Sequence, residues 1–197
     1  MRRHILMLAL LPLVAGCAAQ GPAAGPQYTA TLPPDAVVGA GDPTTAAILG
    51  SQAAFANTAS LAGRPADAAL AIAQLVYLAV EIPTGQRWIG LNPTAATQLP
   101  GAAAEARAAI GTAPSAAPQT VIDTLFATRR ALMAGNRTAA EAALPPAVYP
   151  AGGAATLARL SALPPLPQAA VATTNLSTAV QQMNMFEQPR MGGGGRR

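Results

Sequence analysis

Between Ala68 and Val80 the only polar residue is Gln74. A helix that is apolar on nearly every side belongs in the middle of a fold, because any face left outside would meet water. The run covers 13 residues, too few for the ~20 that a helix needs to cross a bilayer. The rest of the chain therefore has to wrap it. The material for this is limited: 50 of the 197 residues are alanine and only seven are aromatic, so large core side chains are few. One small, helix-biased domain is what such a composition can build. Gly and Pro together make about 19% of the chain, below the roughly 25–30% of low-complexity sequence.

Helix punctuation surrounds this central run. Asp42-Pro43 offers an N-cap with proline at the first helical position, and the segment to about Ala62 carries Ile48, Phe55 and Leu61 before Gly63 stops it. Arg64-Pro65 opens the second helix, through about Glu81, and the connection Ile82–Leu91 holds the one Trp. Asn92-Pro93 repeats the cap signal for a third helix to about Ile110, which Pro100-Gly101 is expected to break or kink. From Pro118, Val121, Ile122, Leu125, Phe126, Leu132 and Met133 form one stripe at helical spacing. Asp123, Thr124, Thr128 and Arg130 fall opposite or at its edges, and Gly135-Asn136 ends it. Thr138 to Glu141 fits a capping box, with Glu141 placed to pair with Arg137. Two further helices are expected over about Ala154–Leu163 and Pro167–Met185, separated by Pro164-Pro165.

No alternating strand run is bounded by hairpin turns. The predicted fold is all-α: a small irregular helical bundle of about 5–7 helices over residues 42–186, after a flexible tether at 17–41 and before a disordered Gly/Arg tail at 187–197. Residues 135–145 resemble the loop and second helix of a tetratricopeptide unit, but that helix is too short and no ~34-residue period recurs. A bundle is favoured over a solenoid.

The N-terminus reads as an address. Met1-Arg2-Arg3-His4 is cationic, Ile5 to Leu13 is apolar apart from Pro12, and Val14-Ala15-Gly16-Cys17 follows. This is the layout of a secretory signal, and Val14-Ala15-Gly16-Cys17 resembles the lipobox of bacterial lipoproteins. The resemblance covers about the first 20 residues. It implies that residues 1–16 are a cleaved signal peptide, that the Cys17 thiol receives a diacylglyceryl group, and that the new N-terminus is acylated. It also implies an address: Ala18 is not the aspartate that typically retains such proteins in the inner membrane, which leaves the outer membrane, facing the periplasm. Two or more acyl chains at about 0.8 kcal/mol per buried methylene make a stable anchor without a span. The alternative is an ordinary cleavable signal, which would leave one free thiol in an oxidising compartment. A flexible tether of about 24 residues would give the domain a reach of roughly 25–30 Å.

Cleavage lowers the formal charge from +4 to +2, with ten Arg against eight acidic residues. The arginines are scattered singly apart from Arg129-Arg130 and Arg196-Arg197, so no basic stripe points to a nucleic-acid partner. The absence of lysine accompanies an excess of Ala, Gly, Pro and Arg and reads as codon composition.

The mature chain lacks most tools of catalysis. Its one His is His4 and its one Cys is Cys17; with the first removed and the second lipidated, no imidazole, free thiol or ammonium side chain remains. That excludes Ser-His-Asp and Cys-His systems, His/Cys zinc sites, a Lys Schiff base and a Walker-A loop. The eight carboxylates are dispersed, and Asp42 and Glu141 suit caps. A carboxylate-only cell-wall hydrolase would need a pair such as Glu105 and Asp123 about 5–10 Å apart. No calcium loop is present. Neither metal nor cofactor is expected, and the chain reads as a non-enzyme.

Arg87 and Trp88 are candidates for an exposed contact to a partner or glycan, unless Trp88 instead covers one end of the core. Met183, Met185 and Phe186 read as helix-end packing. The expected function is a non-catalytic, membrane-anchored envelope lipoprotein that binds or scaffolds an envelope protein or cell-wall partner. The alternative is a carrier of lipid or a small apolar ligand, with a cavity around Ala68–Val80.

Overall fold

The computed structural model describes residues 29–36 and 41–191, with side chains as far as Phe186. Among these residues there are seven α-helices and no strand: α1 (Pro43–Ala56), α2 (Pro65–Thr84), α3 (Pro93–Ala109), α4 (Pro118–Met133), α5 (Arg137–Ala142), α6 (Gly153–Ser161) and α7 (Pro167–Met191). The all-α bundle expected from the sequence is what the chain forms. Five of these helices begin at a proline, whose preset φ suits the first turn and whose missing N–H is one that a helix start leaves unpaired. Aspartate and asparagine supply the side-chain caps of α1, α3 and α5. Asp42 Oδ2 accepts from Thr45 N–H at 3.0 Å, Asn92 Oδ1 from Thr94 N–H at 2.9 Å and Asn136 Oδ1 from Ala139 N–H at 2.9 Å. Gly63 and Gly135 reverse the chain at φ +72° and +70°, a region that side chains with a Cβ rarely adopt.

The apolar run lies where its composition requires. α2 is packed by α1, α3, α4 and α6, and Ala68, Ala69, Ile72, Ala73, Leu75 and Leu78 are wholly buried. The helix is longer than the run itself, 20 residues, and by length and apolarity alone it could cross a membrane; most of it is buried inside the bundle instead. The Tyr77 hydroxyl is accommodated inside the bundle, where it meets Thr44 Oγ1 at 2.8 Å. Around this axis α7 bridges α1 and α3, while α5 links α4 to α6.

Several local expectations are corrected. α3 runs through Pro100-Gly101 without the break that is one of the two expected outcomes; Leu99, Ala102 and Ala103 on either side are buried, and contacts to α2 and α7 hold the turn that propensity alone would open. The capping role expected at Thr138 belongs to Asn136, whereas the Arg137–Glu141 pair forms as expected, at 3.0 Å. On α4, Thr128 is buried and Met133 is 67% exposed. Thr128 can enter the core because its hydroxyl donates to Thr124 O at 2.8 Å. α7 continues to Met191, into the segment expected to be disordered from 187.

The expected free tether is in part a strap. Residues 29–36 lie along α4: Thr31 N–H donates to Gln119 Oε1 at 2.8 Å and Gln119 Nε2 returns to Thr31 O at 3.1 Å. Further along, Arg130 Nη1 contacts both Asp35 oxygens at 3.0 and 3.1 Å. Ala30, Leu32 and Ala36 pack against the core.

Candidate interaction face

α7 packs antiparallel to α3. At one end the Glu105 carboxylate accepts from Ala169 N–H at 2.9 Å, and nearer the middle Asn175 Nδ2 donates to Gln98 Oε1 at 2.8 Å. The buried stripe of α7 is Ala169, Ala172, Thr173, Leu176 and Ala179. These mostly small side chains let the helices approach closely, and the Thr173 hydroxyl is satisfied by Ala169 O of its own helix at 2.7 Å. The opposite side of α7 is exposed and carries Val171, Asn175, Thr178, Gln182, Met185 and Phe186.

No ionisable side chain occurs in α1, in α7 from Pro167 to Phe186, or in α3 before Glu105. Charge is concentrated elsewhere, with Asp123, Arg130, Arg137 and Glu141 on α4 and α5. Depletion of charge, with Met and aromatic residues exposed, is the compositional mark of a protein surface that is covered by a partner. Phe186 is 80% exposed and Met185 62%, so the expected helix-end packing is made by Met183 alone, which lies against the core. Two hollows follow the α3/α7 seam. One, of about 470 Å³, is lined by Thr97, Gln98, Gly101, Pro167, Gln168 and Val171. The other, of about 270 Å³, includes Asn92, Thr94, Asn175, Thr178 and Gln182.

The residues singled out in the sequence lie at another corner. Trp88 is 5% exposed and closes the C-terminal end of α2, its Nε1–H donating to Glu81 Oε1 at 3.3 Å. It is therefore a core residue and unavailable as an exposed aromatic contact. Arg87 covers it, with the guanidinium 4.4 Å from the ring centroid, and grips Asp42 through Nη1–Oδ1 at 3.1 Å and Nη2–Oδ2 at 2.8 Å. One carboxylate thus caps α1 and ties its start to the chain leaving α2.

The Arg87 hydrogen bonds, helped by Thr45 and opposed by partial burial, hold Asp42 well below the usual carboxylate range. A depressed pKa stabilises the fold above the unfolded value of about 3.9, and the contribution is lost as pH falls through the folded value. Asp42→Asn keeps an N-cap and removes the ion pair. The pair is half-exposed, so it is worth at most about 1 kcal/mol. Urea midpoints measured from pH 7 to pH 2 should show wild type ahead of the variant at neutrality and the gap closing below about pH 4. A gap independent of pH would show that the pair does not matter.

The remaining candidates are placed as follows. Val14, Ala15, Gly16 and Cys17 lie outside the described residues. Glu105 is engaged by α7, and Asp123 accepts from Gln119 Nε2 at 2.8 Å. Among the described residues no three of His, Cys, Asp and Glu are grouped to hold a metal ion. Burial pushes the Tyr149 hydroxyl up to about 12, so it stays protonated against Thr124. Beside the apolar run, Val76, Ala79, Val80, Pro100 and Ala103 help line a cleft of about 160 Å³, smaller than the ~300–1,000 Å³ of small-molecule sites. Sequence reasoning missed the α1–α7–α3 face. Its signal was available, since Pro167–Phe186 contains no Asp, Glu, Lys or Arg, but only the packing shows that α1 and α3 extend it.

Comparison with protein-family models, with curated proteins and with solved structures finds no match to this chain.

Proposed function

We propose that this protein is a non-catalytic lipoprotein of the bacterial envelope. It is anchored through Cys17, faces the periplasm from the outer membrane, and binds an envelope partner through the exposed side of α1, α7 and α3. The observation that carries the binding role is the uncharged stretch of α7 from Pro167 to Phe186, with Met185 and Phe186 exposed. The anchor rests on the lipobox resemblance of Val14-Ala15-Gly16-Cys17. A carrier role is less well supported, because the alanines of α2 are used for close packing and the cleft beside them is small.

The two parts are tested separately. Metabolic palmitate labelling should mark the wild-type chain and be abolished in Cys17→Ser; label surviving that change would remove the anchor. Photo-crosslinkers placed in living cells at Val171 or Thr178 should give adducts, and the same probe at Arg137 should give none. Adducts from Arg137 alone would put the working surface on the charged side of the bundle.

A further inference from the structure

One end of the bundle collects apolar side chains that the core does not use. Ile89 is 82% exposed and Phe186 80%, the two most exposed of the large hydrophobic residues described, and Met185 is 62% exposed. Asn92 and Gln182 line the same hollow. Ile89 precedes the first by three residues and Phe186 follows the second by one helical turn, so both stand at the end of the bundle where α2 gives way to α3. There Trp88 enters the core and leaves its neighbour Ile89 outside. On α7, Met183 packs against the core, whereas Met185 and Phe186 face away from it. The helix then continues to Met191 through Glu187 and Arg190, so the exposed apolar pair sits where the uncharged stretch gives way to a charged one.

The chain enters the bundle at this same end. Asp42, which caps α1, is held by Arg87, close in sequence to Ile89. Thr31, in the strap, is held by Gln119 in the first turn of α4, and Pro118 shares a cleft with Val80 near the end of α2. Cys17 and Thr31 are 14 residues apart, and a coil of that length averages roughly 20 Å end to end. α2, with 20 residues, is about 30 Å long. A chain fixed to a membrane at Cys17 therefore holds the Ile89–Phe186 end nearer to the lipid than the opposite end, where Met133 closes α4.

We propose that this end of the bundle rests on the bilayer surface, with Ile89, Met185 and Phe186 in the interfacial layer. The orientation rests on the proposed Cys17 anchor and goes beyond it: lipid covers the apolar end, and the Val171–Gln182 stretch of α7 stands up from the membrane, open to a partner. Stable attachment takes more than one signal; the acyl chains set affinity and the three side chains set orientation. The test uses the acylated full chain in phosphatidylethanolamine/phosphatidylglycerol vesicles. Cys17 is the one native cysteine and the anchor consumes its thiol, so Ile89→Cys, Phe186→Cys or Met133→Cys can carry a single environment-sensitive nitrobenzoxadiazole dye. All three sites are exposed, and circular dichroism checks that the labelled chains are folded. Dye at Ile89→Cys and Phe186→Cys is expected to shift to the blue and to be quenched by phospholipid bearing a nitroxide on its acyl chain several-fold more than dye at Met133→Cys. Equal, water-like emission at the three sites overturns the orientation. So does a blue shift without nitroxide quenching, which would assign the end to a protein partner or a second copy. Flotation of wild type against Cys17→Ser keeps the anchor separate. If wild type does not float with the vesicles, the anchor is wrong, and the labelled variants in the Cys17→Ser background, added at high lipid concentration, decide the end: quenching at Ile89→Cys and Phe186→Cys alone supports the lipid contact, and equal behaviour at the three sites overturns it.

Discussion

Truncating Leu75 to alanine is expected to cost about 3–4 kcal/mol, a large part of the ~5–15 kcal/mol by which such domains are stable. Leu75 is fully buried on α2, which is packed by four helices. The lost side chain leaves a cavity that no single neighbour can close. The chain makes this worse: Ala68, Ala69, Ala71 and Ala73 on the same helix are already small, so the few large side chains carry a disproportionate share of the burial. For a domain of this size the melting point should fall by roughly 6–16 °C. Leu49→Ala on α1 is the control, because Leu49 is half-exposed and its loss should stay within about 0.5 kcal/mol. Equal effects at the two sites would mean that α2 is not the core.

Gly153→Ala should destabilise by about 1–3 kcal/mol or more, although it adds one methyl group. Gly153 opens α6 directly against the end of α5, where a Cβ would overlap the Glu141 carbonyl oxygen and lie 2.7 Å from its carbon and 2.8 Å from its Cα. These are backbone atoms, so relief requires α5 and α6 to move apart. Gly63→Ala differs in kind. Its Cβ would enter open space, and the cost is that of the left-handed backbone alone, about 1 kcal/mol. Chemical denaturation of both variants separates the two. A Gly153 variant no worse than the Gly63 variant would show that the helices part easily.

These contrasts show which parts of the fold were legible in the sequence. Helix starts were readable because Asp42-Pro43, Asn92-Pro93, Pro65, Pro118 and Pro167 act locally, through a preset φ and a nearby cap. The central place of α2 was readable because thirteen nearly all-apolar residues have no outward face. Pro100-Gly101 does not end α3 because propensity is a weak preference and packing on both sides of the helix overrides it. Thr128 misled because a threonine can satisfy its hydroxyl within its own helix and enter a core. The strap at 29–36 was invisible, since Thr31–Gln119 and Asp35–Arg130 join residues 88 and 95 positions apart. For the candidate face, the sequence shows charge missing from Pro167 to Phe186 but gives no sign that α3 lies antiparallel beside that stretch of α7. The Gln98–Asn175 meeting, 77 positions apart, follows only from that arrangement.

If the chain is anchored as proposed, the strap also governs how force would enter the bundle. Its Thr31 end sits at the beginning of α4 and its Asp35 end beside Arg130 near the finish, so it runs in the same direction as the helix. A pull from the membrane side would peel it from the Thr31 end, loading the Gln119 contacts first and the Arg130 pair later. Each is a surface interaction of modest strength that can yield before the core does. Full release would add eight residues of chain, about 26 Å at ~3.3 Å each, before tension reached α1. The bundle would then ride on an extensible coupling, with the slack stored along α4.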